Sequence, residues 1–179
     1  MGPIDPTRTV LTHQLAMAWQ LAWHHLATVT TAELLWRPAA TGLHVHRRAD
    51  GGWQADWPTH ERYDLGPSSL AWLGWHWVFW WSMALDHNFG AAGLTRDQVR
   101  FAGDADGLRS ALTRLHAQWA DRLAALDGPA LAATAAVRWP FAQRSMADLF
   151  AWANTELAKS AAEFGYVRFL YAARPAAES

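Results

Sequence analysis

The chain has no cysteine among its 179 residues. Disulfides, thiolate nucleophiles and cysteine-ligated zinc are therefore excluded. Lysine is nearly absent as well: Lys159 stands alone beside 14 arginines. That bias reads as high-GC codon usage, not as phosphate binding. No excess charge of either sign is present. The net charge is −1, which leaves no general attraction to nucleic acid. An apolar run of membrane-spanning length is missing too. The nearest, LAWLGWHWVFWWSMAL at 70–85, has 16 residues, short of the ~20 a span needs. It carries a central His, and tryptophan prefers the membrane interface to the bilayer centre, so it reads as a helix buried in a protein core. The N-terminal MGPIDPTRTV has neither a basic stretch nor an apolar one. A signal peptide is not expected, and the cytoplasm is the expected compartment.

Apolar residues are abundant. They make up 51% of the chain, and 13 residues are tryptophan, which excludes a disordered chain. The length predicts one domain, residues 1–179, with a sizeable core. Asp5-Pro6 is a helix start. Leu11, Leu15, Ala18, Ala22, Leu26 and Val29 then recur at helical spacing. His13 and His24 fall on the outer face of that helix and His25 on its flank, as surface histidines. TAELLW (31–36) is a helical turn stopped by Pro38. LHVHRRADGGWQADW (43–57) alternates around Asp50-Gly51-Gly52 and predicts a β-hairpin. One face would carry Leu43, Val45 and Arg47. The other would carry His44, His46 and Arg48, read as solvated and not as a metal pair.

A second helix is expected over about Ser68–Asn88, between Pro67 and Gly90. A third follows Asp104, with Leu108, Leu112, Leu115, Trp119, Leu123 and Leu126 inward and His116 at the border as a packing residue. It stops at Asp127-Gly128-Pro129. A fourth spans about Ser145–Ala173, capped by Ser145 with Asp148 three residues on. The expected architecture is all-α: a four-helix bundle with a small hairpin inserted between helices one and two.

The last helix contains NTELAKSAAEFG, residues 154–165. At about 100° per residue, Leu149, Val167 and Ser160 lie within roughly 40° of Glu156, and Glu163 about 20° to its other side. Two carboxylates and a serine thus project from the middle of an apolar face, with Lys159 at its edge. Helix two offers His76, in line with Leu73, Trp80, Met83 and His87. One His and two carboxylates can form an N/O site for zinc, nickel, iron or manganese. The alternative is a buried hydrogen-bond network, with His76 on a carboxylate and Lys159 between Glu156 and Glu163.

Five strings, AELLWRPA (32–39), HVHRRADGGWQADW (44–57), SSLAWLGWHWVFWW (68–81), LTRLHAQWADRLAAL (112–126) and NTELAKSAAEFGYVRFLYA (154–172), carry a family resemblance by their order and spacing. The chain resembles the DinB/YfiT-like metalloenzyme superfamily, which includes thiol-dependent S-transferases and mycothiol-dependent maleylpyruvate isomerases. The resemblance implies a four-helix bundle, often a homodimer, with a divalent metal such as zinc or nickel. It places the metal ligands at His76, at Glu163, and at the position of Lys159, counted back from Gly165. The pattern departs at Lys159. A protonated lysine has no lone pair, so two of three ligands remain unless Glu156 moves in from one turn earlier. The expected site is degenerate, holding substoichiometric metal or none, and Lys159→His would restore a third donor.

Three functions follow as expectations. The first is a small-molecule transferase or hydrolase, with a low-molecular-weight thiol as a candidate co-substrate and His76, Glu163 and Lys159 as catalytic groups. The second is a non-catalytic binding protein holding an apolar or planar ligand against Trp75, Phe79, Trp80 and Trp152, with Glu156 and Ser160 nearby. The third is a stress-related homodimer without a ligand.

Overall fold

The structure is a computed structural model and describes residues 5–60, 62–134 and 137–175. Among these residues there are six α-helices and one hairpin: α1 (Pro6–Leu26), α2 (Thr31–Leu35), β1 (Val45–Arg47), β2 (Trp53–Ala55), α3 (Leu70–Phe89), α4 (Ala105–Ala124), α5 (Gly128–Ala132) and α6 (Met146–Ala173). The starts follow from local chemistry. The side chains of Asp5, Thr30, Ser69, Asp104, Asp127 and Ser145 each accept a backbone N–H of the first turn of their helix, satisfying donors that have no partner inside the helix. No helix among the described residues is long and apolar enough to cross a membrane.

The four long helices enclose one core, whose largest buried side chains include Trp77, Trp81, Trp119, Phe150 and Phe164. Two of these helices, α1 and α6, run parallel. Asn154 donates to the Leu11 carbonyl at 3.0 Å near their starts. Arg168 donates to the His25 carbonyl at 2.8 Å near their ends. Arg168 also meets Glu33 of α2 at 3.0 Å, which fastens the α1–α2 corner to α6. Two glycines allow close approach. A Cβ on Gly165 would collide with the His25 ring, and one on Gly74 with Leu108 of α4.

Two expectations are corrected here. On α6 the buried arc runs from Leu149, Ser160 and Val167 through Ala153, Phe164 and Leu157 to Phe150, Ala161, Asn154 and Gly165. Its centre lies about 90° round the helix from Glu156. The contact with α1 covers most of the inner surface of α6 and pulls this arc toward α1, so Glu156 borders the core and Lys159 and Glu163 are exposed. The second correction concerns the hairpin. β1 and β2 pair antiparallel with Val45 opposite Ala55 and Arg47 opposite Trp53, so the ladder is shorter than 43–57. His44 precedes it and is buried, not solvated. Its amide N–H is held by Asp56 at 2.8 Å, and its ring turns in beside Gly42. Burial foremost, with Arg37 adding, holds its imidazole below the usual pKa. His46 and Arg48 stay at the surface, with His46 2.9 Å from Asp56.

Candidate functional site

α3 places Trp72, His76 and Trp80 one turn apart on one side of the helix. Trp72 is anchored by its indole N–H, which donates to the Asp56 carbonyl at 2.8 Å. Its ring stacks on His76 with centroids 4.6 Å apart. From the other side, the Trp80 indole N–H donates to His76 Nε2 at 2.7 Å. An indole N–H is a donor only. The Nε2 lone pair is therefore engaged, and the proton of the neutral ring sits on Nδ1, which is buried without a partner among the described residues. Burial, and secondarily the Lys159 charge, push the His76 pKa down to about 3. The imidazole is neutral throughout the physiological range.

α6 supplies the opposite wall. Lys159 Nζ lies 2.8 Å from Glu156 Oε2, one turn away on the same helix. Glu163 stands at the mouth, its side chain reaching water. The protein around its carboxyl raises its pKa by desolvation; Lys159 opposes that rise and Glu156 adds to it. The accessible water limits the rise. Between the helices lies a cleft of about 330 Å³, lined chiefly by Trp72, Leu73, His76, Lys159, Glu163 and Val167. A second hollow of about 510 Å³ continues past Pro67, Ser68, Trp72 and His76 toward His60 and Arg62.

The structure thus brings His76, Lys159 and Glu163 to one cleft. Glu156 is drawn aside by Lys159. Ser160 is buried within the helix packing. The four aromatic residues expected to line the pocket lie elsewhere. Trp80 sits behind His76, stacked on Trp139 and edge-on to Trp152. Phe79 continues this aromatic ladder to Trp75. The Trp75 indole donates to the Val99 carbonyl at 2.8 Å, and its ring lines a different cleft. Trp72 takes the expected place of Trp75. The spacing 72, 76, 80 carried that signal. Trp139 lies in the irregular α5–α6 connection, where no periodicity could point to it.

These residues do not fit a divalent ion. The Nε2 lone pair of His76 is taken by Trp80, and its Nδ1 carries hydrogen. Lys159 is a cation already paired with Glu156. Among the described residues no three His, Asp or Glu side chains are grouped to hold a metal.

The class is a mainly helical protein with a small hairpin and a His/Lys/Glu cleft between two long helices. Residues 14–162 match the family model described as the DinB superfamily. The chain belongs to the DinB superfamily. No curated protein and no solved structure matches it.

Proposed function

We propose that this DinB-superfamily chain is a metal-independent small-molecule-binding protein, using the α3/α6 cleft of a DinB-type four-helix bundle. The observation that carries this reading is the Trp80 hydrogen bond to His76 Nε2. It removes the one imidazole of the cleft from both metal ligation and proton abstraction. What remains is an apolar slot of Trp72, Leu73 and Val167 with a cation and a carboxylate at its mouth. Such a slot takes a planar, mostly apolar molecule whose polar end reaches Lys159 or Glu163. A single domain, a cytoplasmic setting and a homodimer belong to the same proposal.

The test is a ligand-observed NMR screen of planar aromatic alcohols against the wild type and Val167→Trp, which fills the slot. Binders lost in the variant and no tightly bound metal in protein purified without a His-tag are the expected results. A stoichiometric, chelator-resistant zinc or nickel would overturn the reading.

A second reading is a metal-independent transferase or hydrolase. The raised pKa of Glu163 beside Lys159 favours it. Glu163 would take a proton from a water or a low-molecular-weight thiol, and Lys159 would stabilise the developing negative charge. His76 would position Trp72 and Trp80 instead of acting as the base. Turnover that Glu163→Gln abolishes would decide for this reading.

A further inference from the structure

A larger cleft, of about 600 Å³, lies between the hairpin, α3 and the α3–α4 connection. Its chemistry differs from that of the His76 cleft. Arg48 enters from the hairpin, and Arg96 and Arg100 from the connection. The Arg96 guanidinium sits over the Trp57 ring, 4.9 Å from its centroid. Trp57 is itself braced edge-on by Trp75 at 6.3 Å and Phe79 at 5.3 Å. The Trp75 indole holds the floor to the connection through the Val99 carbonyl. The result is a fixed aromatic wall, and Trp57 nonetheless remains 43% exposed.

The charges are unevenly paired. Two carboxylates line the cleft with the three guanidiniums, and both are engaged. Asp56 accepts from the His44 amide and holds His46. Asp97 pairs with Arg96 at 3.2 Å. Arg48 is met at the rim by Asp50, also at 3.2 Å. Arg100 has no acidic partner within salt-bridge distance among the described residues, and its side chain is exposed. With Asp50 counted, three carboxylates stand by three guanidiniums, but Arg100 alone among the three is not held in an ion pair. Asp50 feels the Arg100 charge only at longer range, and Arg100 stands by an accessible indole. A guanidinium fork matches a carboxylate in plane, and an indole face takes a flat apolar body.

We propose that this cleft is a second ligand site, taking a planar aromatic monocarboxylate with its anionic end on Arg100 and its ring against Trp57. The site is independent of the α3/α6 cleft. One guanidinium outside an ion pair favours a monoanion over a phosphate dianion.

Isothermal titration calorimetry with 1-naphthoate as the probe tests it. Saturation at one molecule per chain is expected in the wild type. Binding should weaken about tenfold or more for the neutral 1-naphthamide, and by a similar factor in Arg100→Gln. Arg100 is exposed, so this variant keeps the fold, which circular dichroism checks. Val167→Trp, which fills the other cleft and whose fold circular dichroism checks in the same way, should bind naphthoate as the wild type does. Four outcomes would overturn the proposal: no saturable binding, equal affinity for the amide, undiminished binding in Arg100→Gln, or loss of binding in Val167→Trp. Tighter binding of 1-naphthyl phosphate than of naphthoate would overturn the carboxylate assignment.

Discussion

Helix α6 meets α1 and α3 in opposite ways. Toward α1 it presents small or anchored groups. Gly165 admits the His25 ring, Asn154 and Arg168 bond to α1 carbonyls, and Ala153 and Ala161 are buried. The backbones come close along this seam. Toward α3 it meets Trp72, His76 and Trp80, whose rings hold the helices apart. The space left behind is the cleft, and it is where Lys159 and Glu163 keep contact with water. Close packing by small residues makes rigidity; bulky aromatic residues that brace one another leave room for chemistry.

The largest expected effect is on the tight side. Gly165→Leu drives a side chain into His25 and should destabilise the protein by about 3 kcal/mol in chemical denaturation, as overpacked sites do. If it costs no more than an exposed substitution on α6, the α1 seam is looser than its geometry implies.

Next comes the pH response of the open side. The His76 pKa is about 3 in the folded protein against an ordinary 6.5. The unfolded chain therefore takes up the proton first as pH falls. The stability that the neutral ring contributes is complete above pH 6.5 and is lost progressively toward pH 3. Between pH 7 and 5 the wild type should lose about 2 kcal/mol more than His76→Gln does. Parallel stability–pH curves for the two proteins would mean that His76 titrates normally.

A smaller effect separates the two obstacles to metal binding. Lys159→His alone supplies a donor but leaves the Trp80 N–H on His76 Nε2. Adding Trp80→Phe frees that lone pair. The double variant should bind zinc about tenfold more tightly than Lys159→His, roughly 1.4 kcal/mol, in a chelator competition titration. Equal affinities would show that the indole does not guard the nitrogen. Smallest of all is the Lys159–Glu156 pair, which water screens. Glu156→Gln should change stability by no more than about 0.5 kcal/mol, and a loss several times larger would mean that the α3 side is more tightly closed than described.

Much of this molecule could be read before folding. Cap residues and apolar periodicity place the four long helices to within a residue or two, because both signals are local: a carboxylate or hydroxyl at the N-cap, and a 3.6-residue repeat behind it. Asp50-Gly51-Gly52 marks the hairpin for the same reason, since a tight turn restricts its own few residues. His76, Lys159 and Glu163 were legible as the polar exceptions on otherwise apolar stretches, and they do share a cleft.

Tertiary structure alone decided the rest. Periodicity tells which residues of α6 share a face but not which neighbour covers it, so the turn of the buried arc toward α1 followed only from packing. The alternation around His44 and His46 could not show that the ladder begins after His44 and leaves that ring inside. Trp72 and Trp75 differ by less than one turn, yet one faces the His76 cleft and the other the arginine-lined cleft. The indole on His76 Nε2 is the most consequential case. Composition can place a His beside a Trp, but a hydrogen bond has direction. Only the relative orientation of two rings determines which nitrogen keeps a lone pair.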